Sequence, residues 1–187
     1  MKHLKTIIFA VLLAAVLACS ALLYPQLKAL DHQLDIVQEQ QDNMESEGEV
    51  RAAADFTAVD SRGNTIRLAD LIGTPIVVNF WASWCAPCQS EMSDFQTAWE
   101  EYGSEVQFLM VNVSDTADEQ ESAEAYLTEH ALTLPVYYDM QSSAIRAYSV
   151  YSIPRTLFID ASGNIQADIT GALSAETLTE SLTLISQ

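Results

Sequence analysis

Trp84-Cys85-Ala86-Pro87-Cys88 is the stretch of this 187-residue chain whose residue types and spacing can do chemistry. Two cysteines three positions apart at a helix start stand one turn from each other. The first sulfur then sits over unpaired backbone N–H groups and the positive end of the helix dipole. A thiolate is stabilised there, which makes Cys85 a nucleophile at neutral pH. Cys88 is close enough to attack the mixed disulfide and release the partner, so it is the resolving thiol. Pro87 suits a first helical turn. Zinc is a poor alternative: it needs three or four protein ligands, and His3, His32, His130 and Cys19 are the remaining candidates, three of them near the N-terminus. The pair therefore reads as a thiol–disulfide exchange centre, with no cofactor beyond the Cys85–Cys88 disulfide itself and no metal.

Such a pair works only if a strand and a helix hold it. Ile76-Val77-Val78-Asn79-Phe80-Trp81 is a continuous apolar run typical of a strand buried on both faces. Residues 86–102 place Met92, Phe95, Trp99 and Tyr102 at helical spacing. Upstream, residues 56–59 and 65–68 read as strands joined by the Asp60-Ser61-Arg62-Gly63-Asn64 turn, a hairpin, followed by a helical turn at 70–73. Downstream, the pattern predicts strands at 106–113 and 134–138 and helices at 118–130 and 141–148. Strands at 155–159 and 165–169 flank an Ala161-Ser162-Gly163-Asn164 turn, and a helix from Ser174, a candidate N-cap, runs to Ile185. Alternating strands and helices closed by a hairpin and a helix make an α/β fold around one mixed sheet.

Lys2 and Lys5 precede an apolar run at residues 7–23, the layout of an export signal. One reading is an uncleaved signal-anchor with its lysines held in the cytoplasm. A second is a lipobox at Val16-Leu17-Ala18-Cys19 with Cys19 lipidated, and a third is plain cleavage. All three place the rest outside the cytoplasm. The chain then divides into an anchor at 1–25, a polar helical stalk at 26–51 and a globular domain at 52–187. Leu27, Leu30, Leu34 and Val37 follow a 3-4-3 spacing that suits at most weak self-association through the stalk.

The chain carries 8 basic and 26 acidic residues, a net charge of −18, which excludes a nucleic-acid partner. An apolar fraction of 49% excludes a disordered acidic tail. All 26 acids lie from Asp31 onward, and between Arg67 and Arg146 there is no cation against 13 acids. The dithiol sits inside that stretch.

Val77-Val78-Asn79-Phe80-Trp81-Ala82-Ser83-Trp84-Cys85-Ala86-Pro87-Cys88 resembles the active-site strand and helix of the thioredoxin superfamily. Asp55-Phe56-Thr57, Asp60-x-x-Gly63-Asn64 and Leu68-x-x-Leu71-x-Gly73 narrow the resemblance to the membrane-anchored TlpA/ResA-like thiol-disulfide oxidoreductases, from about residue 53 to the C-terminus. The resemblance implies a thioredoxin-like fold, a central mixed β-sheet flanked by helices, carrying an N-terminal β-hairpin extension and an N-terminal membrane anchor. It implies that Ile153-Pro154 is the cis-proline loop beside the dithiol, whose backbone pairs with the substrate chain, and that Trp84, Ala86 and Pro87 contribute to the substrate surface. It implies a proton-handling role for Glu91. Asn79 takes the place of thioredoxin's buried Asp and cannot titrate, which leaves acid–base work to Glu91. The bland alternative for Glu91 is a solvated first-turn acid, and for Trp81 a core residue. Ser93 departs from the family's usual proline, which puts the helix kink in doubt.

Gln89 stands where many relatives carry Lys, and Glu91 and Asp94 follow. An acidic, cation-free setting disfavours the thiolate and so makes the dithiol the better reductant. The leading expectation is an exported protein-disulfide reductase recharged by a CcdA/DsbD-type membrane electron donor. The family suggests apocytochrome c or methionine sulfoxide reductases as clients, and nothing in the chain picks among them. The alternatives are a disulfide-forming oxidase on the same fold and a non-catalytic thioredoxin-like binding module. A peroxiredoxin is disfavoured, because Ala82 stands three residues before Cys85, where that chemistry wants Thr.

Overall fold

A computed structural model describes residues 51–113 and 116–186. The apolar run at 7–23, Cys19 and the 26–50 part of the stalk lie outside the described residues. Among those described, no helix is long and apolar enough to cross a membrane.

The chain enters through β1 (Thr57–Val59) and β2 (Thr65–Arg67), which pair antiparallel as a hairpin. Asp60 makes the turn: its carboxylate accepts the backbone N–H groups of Arg62 and Asn64 and the Asn64 amide. A 3₁₀ turn at Leu68–Leu71 leads to β3 (Ile76–Trp81), buried at all six positions. Then come α1 (Ala86–Tyr102), β4 (Gln107–Asn112), α2 (Ala117–Glu129), β5 (Val136–Tyr138), α3 (Ser143–Tyr148), β6 (Arg155–Ile159), β7 (Ile165–Thr170) and α4 (Ala175–Ile185). The seven strands form one sheet in the order β2-β1-β5-β4-β3-β6-β7. β3 pairs parallel with β4 and antiparallel with β6. β3 is therefore an inner strand, as its burial on both faces requires.

Strand period sorts β3 onto two cores. Ile76, Val78 and Phe80 face a cluster with Phe56, Leu109, Leu157 and Tyr148. Val77 and Trp81 face the other cluster, with Met92 and Phe95 of α1 and Leu178 and Leu182 of α4. Phe95 has no exposed surface and sits where α1 meets that face. Phe95→Ala is expected to cost about 3–5 kcal/mol in urea unfolding, from lost burial plus the cavity left behind.

Several ends differ from the sequence expectation, each for a local reason. β5 begins at Val136 rather than 134: the Thr133 and Leu134 N–H groups donate to the Gln96 side chain, and Pro135 has no N–H to offer a ladder. α3 begins at Ser143 rather than 141, because Ser142 is left-handed (φ 52°) and buried Asp139 takes the Ile145 N–H at 2.8 Å. α4 starts as expected, with the Ser174 hydroxyl accepting the Thr177 N–H.

Candidate active site

β3 ends at Trp81, and four residues later Cys85 caps α1. Its backbone is extended (φ −87°, ψ 101°), and its Sγ accepts the Cys88 N–H at 3.3 Å. Pro87 lies in the first turn. Cys85 and Cys88 are joined as a disulfide, with their Cα atoms 5.3 Å apart. Their accessibilities differ: Cys85 keeps 6% of its surface exposed and Cys88 none. Cys85 is thus the less buried of the two.

The Ile153–Pro154 bond is cis. The Ile153 carbonyl oxygen lies 3.8 Å from Cys85 Sγ. Trp84 is 66% exposed, Ala86 and Pro87 are exposed, and Tyr151, which the sequence reading passed over, is 94% exposed. Trp84, Val113, Ile145, Val150, Tyr151 and Ile153 line a shallow apolar groove beside the disulfide. Trp81, by contrast, is core.

Beneath the dithiol lies a buried polar set. Glu91 is one turn beyond Cys88 on the same face of α1 and only 1% exposed, so it is not a solvated first-turn acid. One carboxylate oxygen accepts the Asn79 amide at 2.9 Å and the other the Leu173 backbone N–H at 2.7 Å. The Asn79 amide also donates to Thr156 Oγ1 at 3.0 Å. The β3–β6 register places Asn79 opposite Thr156. Burial pushes the Glu91 carboxyl above its ordinary range. The Leu173 and Asn79 donors pull it down, and the charge of Asp94 adds to the rise. Thr156 and the Leu173 N–H were not legible in the sequence, because only strand register and the loop before α4 bring them to Glu91. Ser93 leaves α1 uninterrupted.

Residues 50–168 match the AhpC/TSA family. The chain belongs to the AhpC/TSA family. It is 34% identical over 125 residues to the thiol-disulfide oxidoreductase ResA of Geobacillus kaustophilus, covering 66% of this chain and 70% of that protein. Among solved structures it resembles StoA from Bacillus subtilis, with TM-score 0.60 and 26% identity over 69% of this chain and 96% of that one. It also resembles the pneumococcal exposed lipoprotein thioredoxin of Streptococcus pneumoniae, with TM-score 0.58 and 29% identity over 70% and 99%. The resemblance to ResA-like proteins and the thioredoxin-like fold thus hold, and this AhpC/TSA-family chain is a thiol-disulfide oxidoreductase acting on thiols and disulfides of proteins.

Proposed function

We propose that the chain works as a protein-disulfide reductase outside the cytoplasm, with Cys85 as nucleophile, Cys88 as resolving thiol and Glu91 as the acid–base group. The carrying observation is Glu91 itself: a desolvated carboxyl one turn from Cys88, in a stretch from 68 to 145 without a Lys or Arg. A buried acid disfavours a second negative charge on the nearby sulfurs. That raises the energy of the thiolate form relative to the disulfide and makes the dithiol give up electrons readily. One observation pulls the other way. The Cys88 N–H directed at Cys85 Sγ stabilises a thiolate, which favours an oxidase.

The equilibrium with glutathione decides between them. The expected reduction potential lies nearer that of thioredoxin, about −270 mV, than that of DsbA, about −120 mV. A value near −120 mV overturns the reductase reading.

The client's cysteine approaches over Trp84, Ala86 and Pro87 and along Ile153 and Pro154. The basic start and apolar run at 7–23 support an N-terminal membrane tether. The similarity to an exposed lipoprotein supports Cys19 lipidation as its alternative. Outside the cytoplasm, cytosolic thioredoxin cannot recharge the pair directly. A membrane electron donor of the CcdA/DsbD type fills that need, and the exchange itself calls on no cofactor beyond the cysteines.

A further inference from the structure

The segment 149–154 passes beside the disulfide, and one side chain holds both of its ends. Arg155 follows Pro154 directly. Its Nε donates to Asp168 Oδ1 at 2.8 Å and one terminal nitrogen to Asp168 Oδ2 at 2.7 Å, a two-point fork onto the neighbouring strand β7. The other terminal nitrogen donates to the Tyr148 carbonyl at 2.6 Å. Tyr148 ends α3, and Ser149 beyond it is left-handed (φ 50°). One guanidinium thus caps the helix that delivers the segment and anchors the strand that receives it. The rest of the pinning is backbone: Val150 N–H to the Ile145 carbonyl at 3.0 Å and Gly171 N–H to the Pro154 carbonyl at 2.8 Å.

The fork is built to stay. Both side chains are mostly buried, 18% and 17% exposed. Arg51 adds a second cation to Asp168 Oδ2. The guanidinium of Arg155 holds the Asp168 carboxyl below its ordinary range, so the pair remains charged. Lys would match neither the fork nor the third contact, since an ammonium is a point charge without the planar geometry.

What the segment carries gives the fork its purpose. Val150, Tyr151 and Ile153 line the apolar groove together with Trp84, and Ile153 brings its carbonyl to Cys85. Nothing in the fork touches a reacting sulfur. We propose that Arg155 is a positioning residue for client capture: with Asp168 and the Tyr148 carbonyl it fixes segment 149–154 so that the groove receives the apolar side chains flanking a client's cysteine. The role rests on thiol–disulfide exchange itself and holds for either direction of electron flow.

The test is Arg155→Met in the full-length chain in detergent, which keeps the aliphatic stem and removes the donors. Insulin reduction is followed at varied insulin, with dithiothreitol as reductant. Reaction of the dithiol form with glutathione disulfide, which carries no apolar side chain beside its cysteines to seat in the groove, runs alongside. KM for insulin is expected to rise about tenfold. The turnover number, the glutathione-disulfide rate and the glutathione equilibrium are expected to stay within about twofold, as for loss of binding alone. An unchanged KM overturns the proposal, as does a parallel fall of turnover number and glutathione-disulfide rate, which a merely structural role would give. Should Arg155→Met fail to fold, Asp168→Asn keeps the shape and weakens the fork; its KM should rise, and a wild-type KM overturns the proposal. If the wild-type chain only oxidises, the reductase reading fails, and the same split is read with reduced, unfolded ribonuclease as client.

Discussion

Cys85→Ser lowers insulin reduction by roughly 10³-fold or more, because the attacking sulfur is gone and the hydroxyl left behind is not ionised at neutral pH. Cys88→Ser has a different outcome. Cys85 still attacks the client disulfide, forming one S–S bond to the client and releasing the client's other sulfur as a thiol. No second thiol is present to resolve the adduct. The expected readout is a covalent complex on non-reducing gels that dithiothreitol dissolves, and its partner identifies the client. The asymmetry follows from burial: Cys85 keeps 6% of its surface and Cys88 none. Substantial activity in Cys85→Ser, or adducts trapped by Cys85→Ser rather than Cys88→Ser, would reverse the roles. A binding module would show no difference among wild type and the two variants in client affinity.

Glu91→Gln slows exchange by roughly 10²-fold at neutral pH, the low end of what a positioned acid–base group supplies. The sign of the pH dependence follows from the buried site. Glu91 titrates above its ordinary value, chiefly through desolvation. In the proposed acid–base role, only its ionised form can accept a thiol proton. The wild-type rate therefore rises as pH passes upward through the raised Glu91 value, and Glu91→Gln loses that limb. Stability runs the opposite way. A carboxyl whose folded value is raised favours the protonated native state. That contribution is fully present below the unfolded value and is lost as pH climbs through the folded one. Urea unfolding at pH 5 and pH 8 should therefore favour wild type at the lower pH and narrow toward the variant at the higher. Removing the charge also eases thiolate formation and shifts the potential in the oxidising direction, by ~30 mV for each tenfold change in the equilibrium. An identical pH–rate profile in the two proteins would remove Glu91 from the chemistry.

The residues that make the exchange centre were legible in the chain. A cysteine pair between a buried apolar run and a helical pattern is local chemistry, set by the spacing of Cys85 and Cys88 and by Pro87 in the first turn. The strand at Ile76–Trp81 and the helix at Ala86–Tyr102 were read at their observed bounds, because period and burial are properties of contiguous sequence. The shorter elements were less legible. Gln96 takes the N–H groups of Thr133 and Leu134 from 37 and 38 residues away and so delays β5, and no local pattern announces such a contact.

Tertiary structure decided everything that depends on register and return of the chain. A strand buried on both faces does not say which face each side chain takes. Only the antiparallel pairing of β3 with β6 sets Asn79 against Thr156, and only the loop before α4 brings the Leu173 N–H to Glu91. Glu91 reads in sequence as either a solvated acid or a proton carrier. Its 1% exposure removes the solvated acid, because desolvation is a property of the packed site and not of the residue. The fork from Arg155 to Asp168 is likewise a product of the β6–β7 pairing. The sequence by itself determined the sulfur chemistry. The fold determined which cysteine is the less buried, which acid is buried beneath the pair, and which side chain holds the segment that passes beside it.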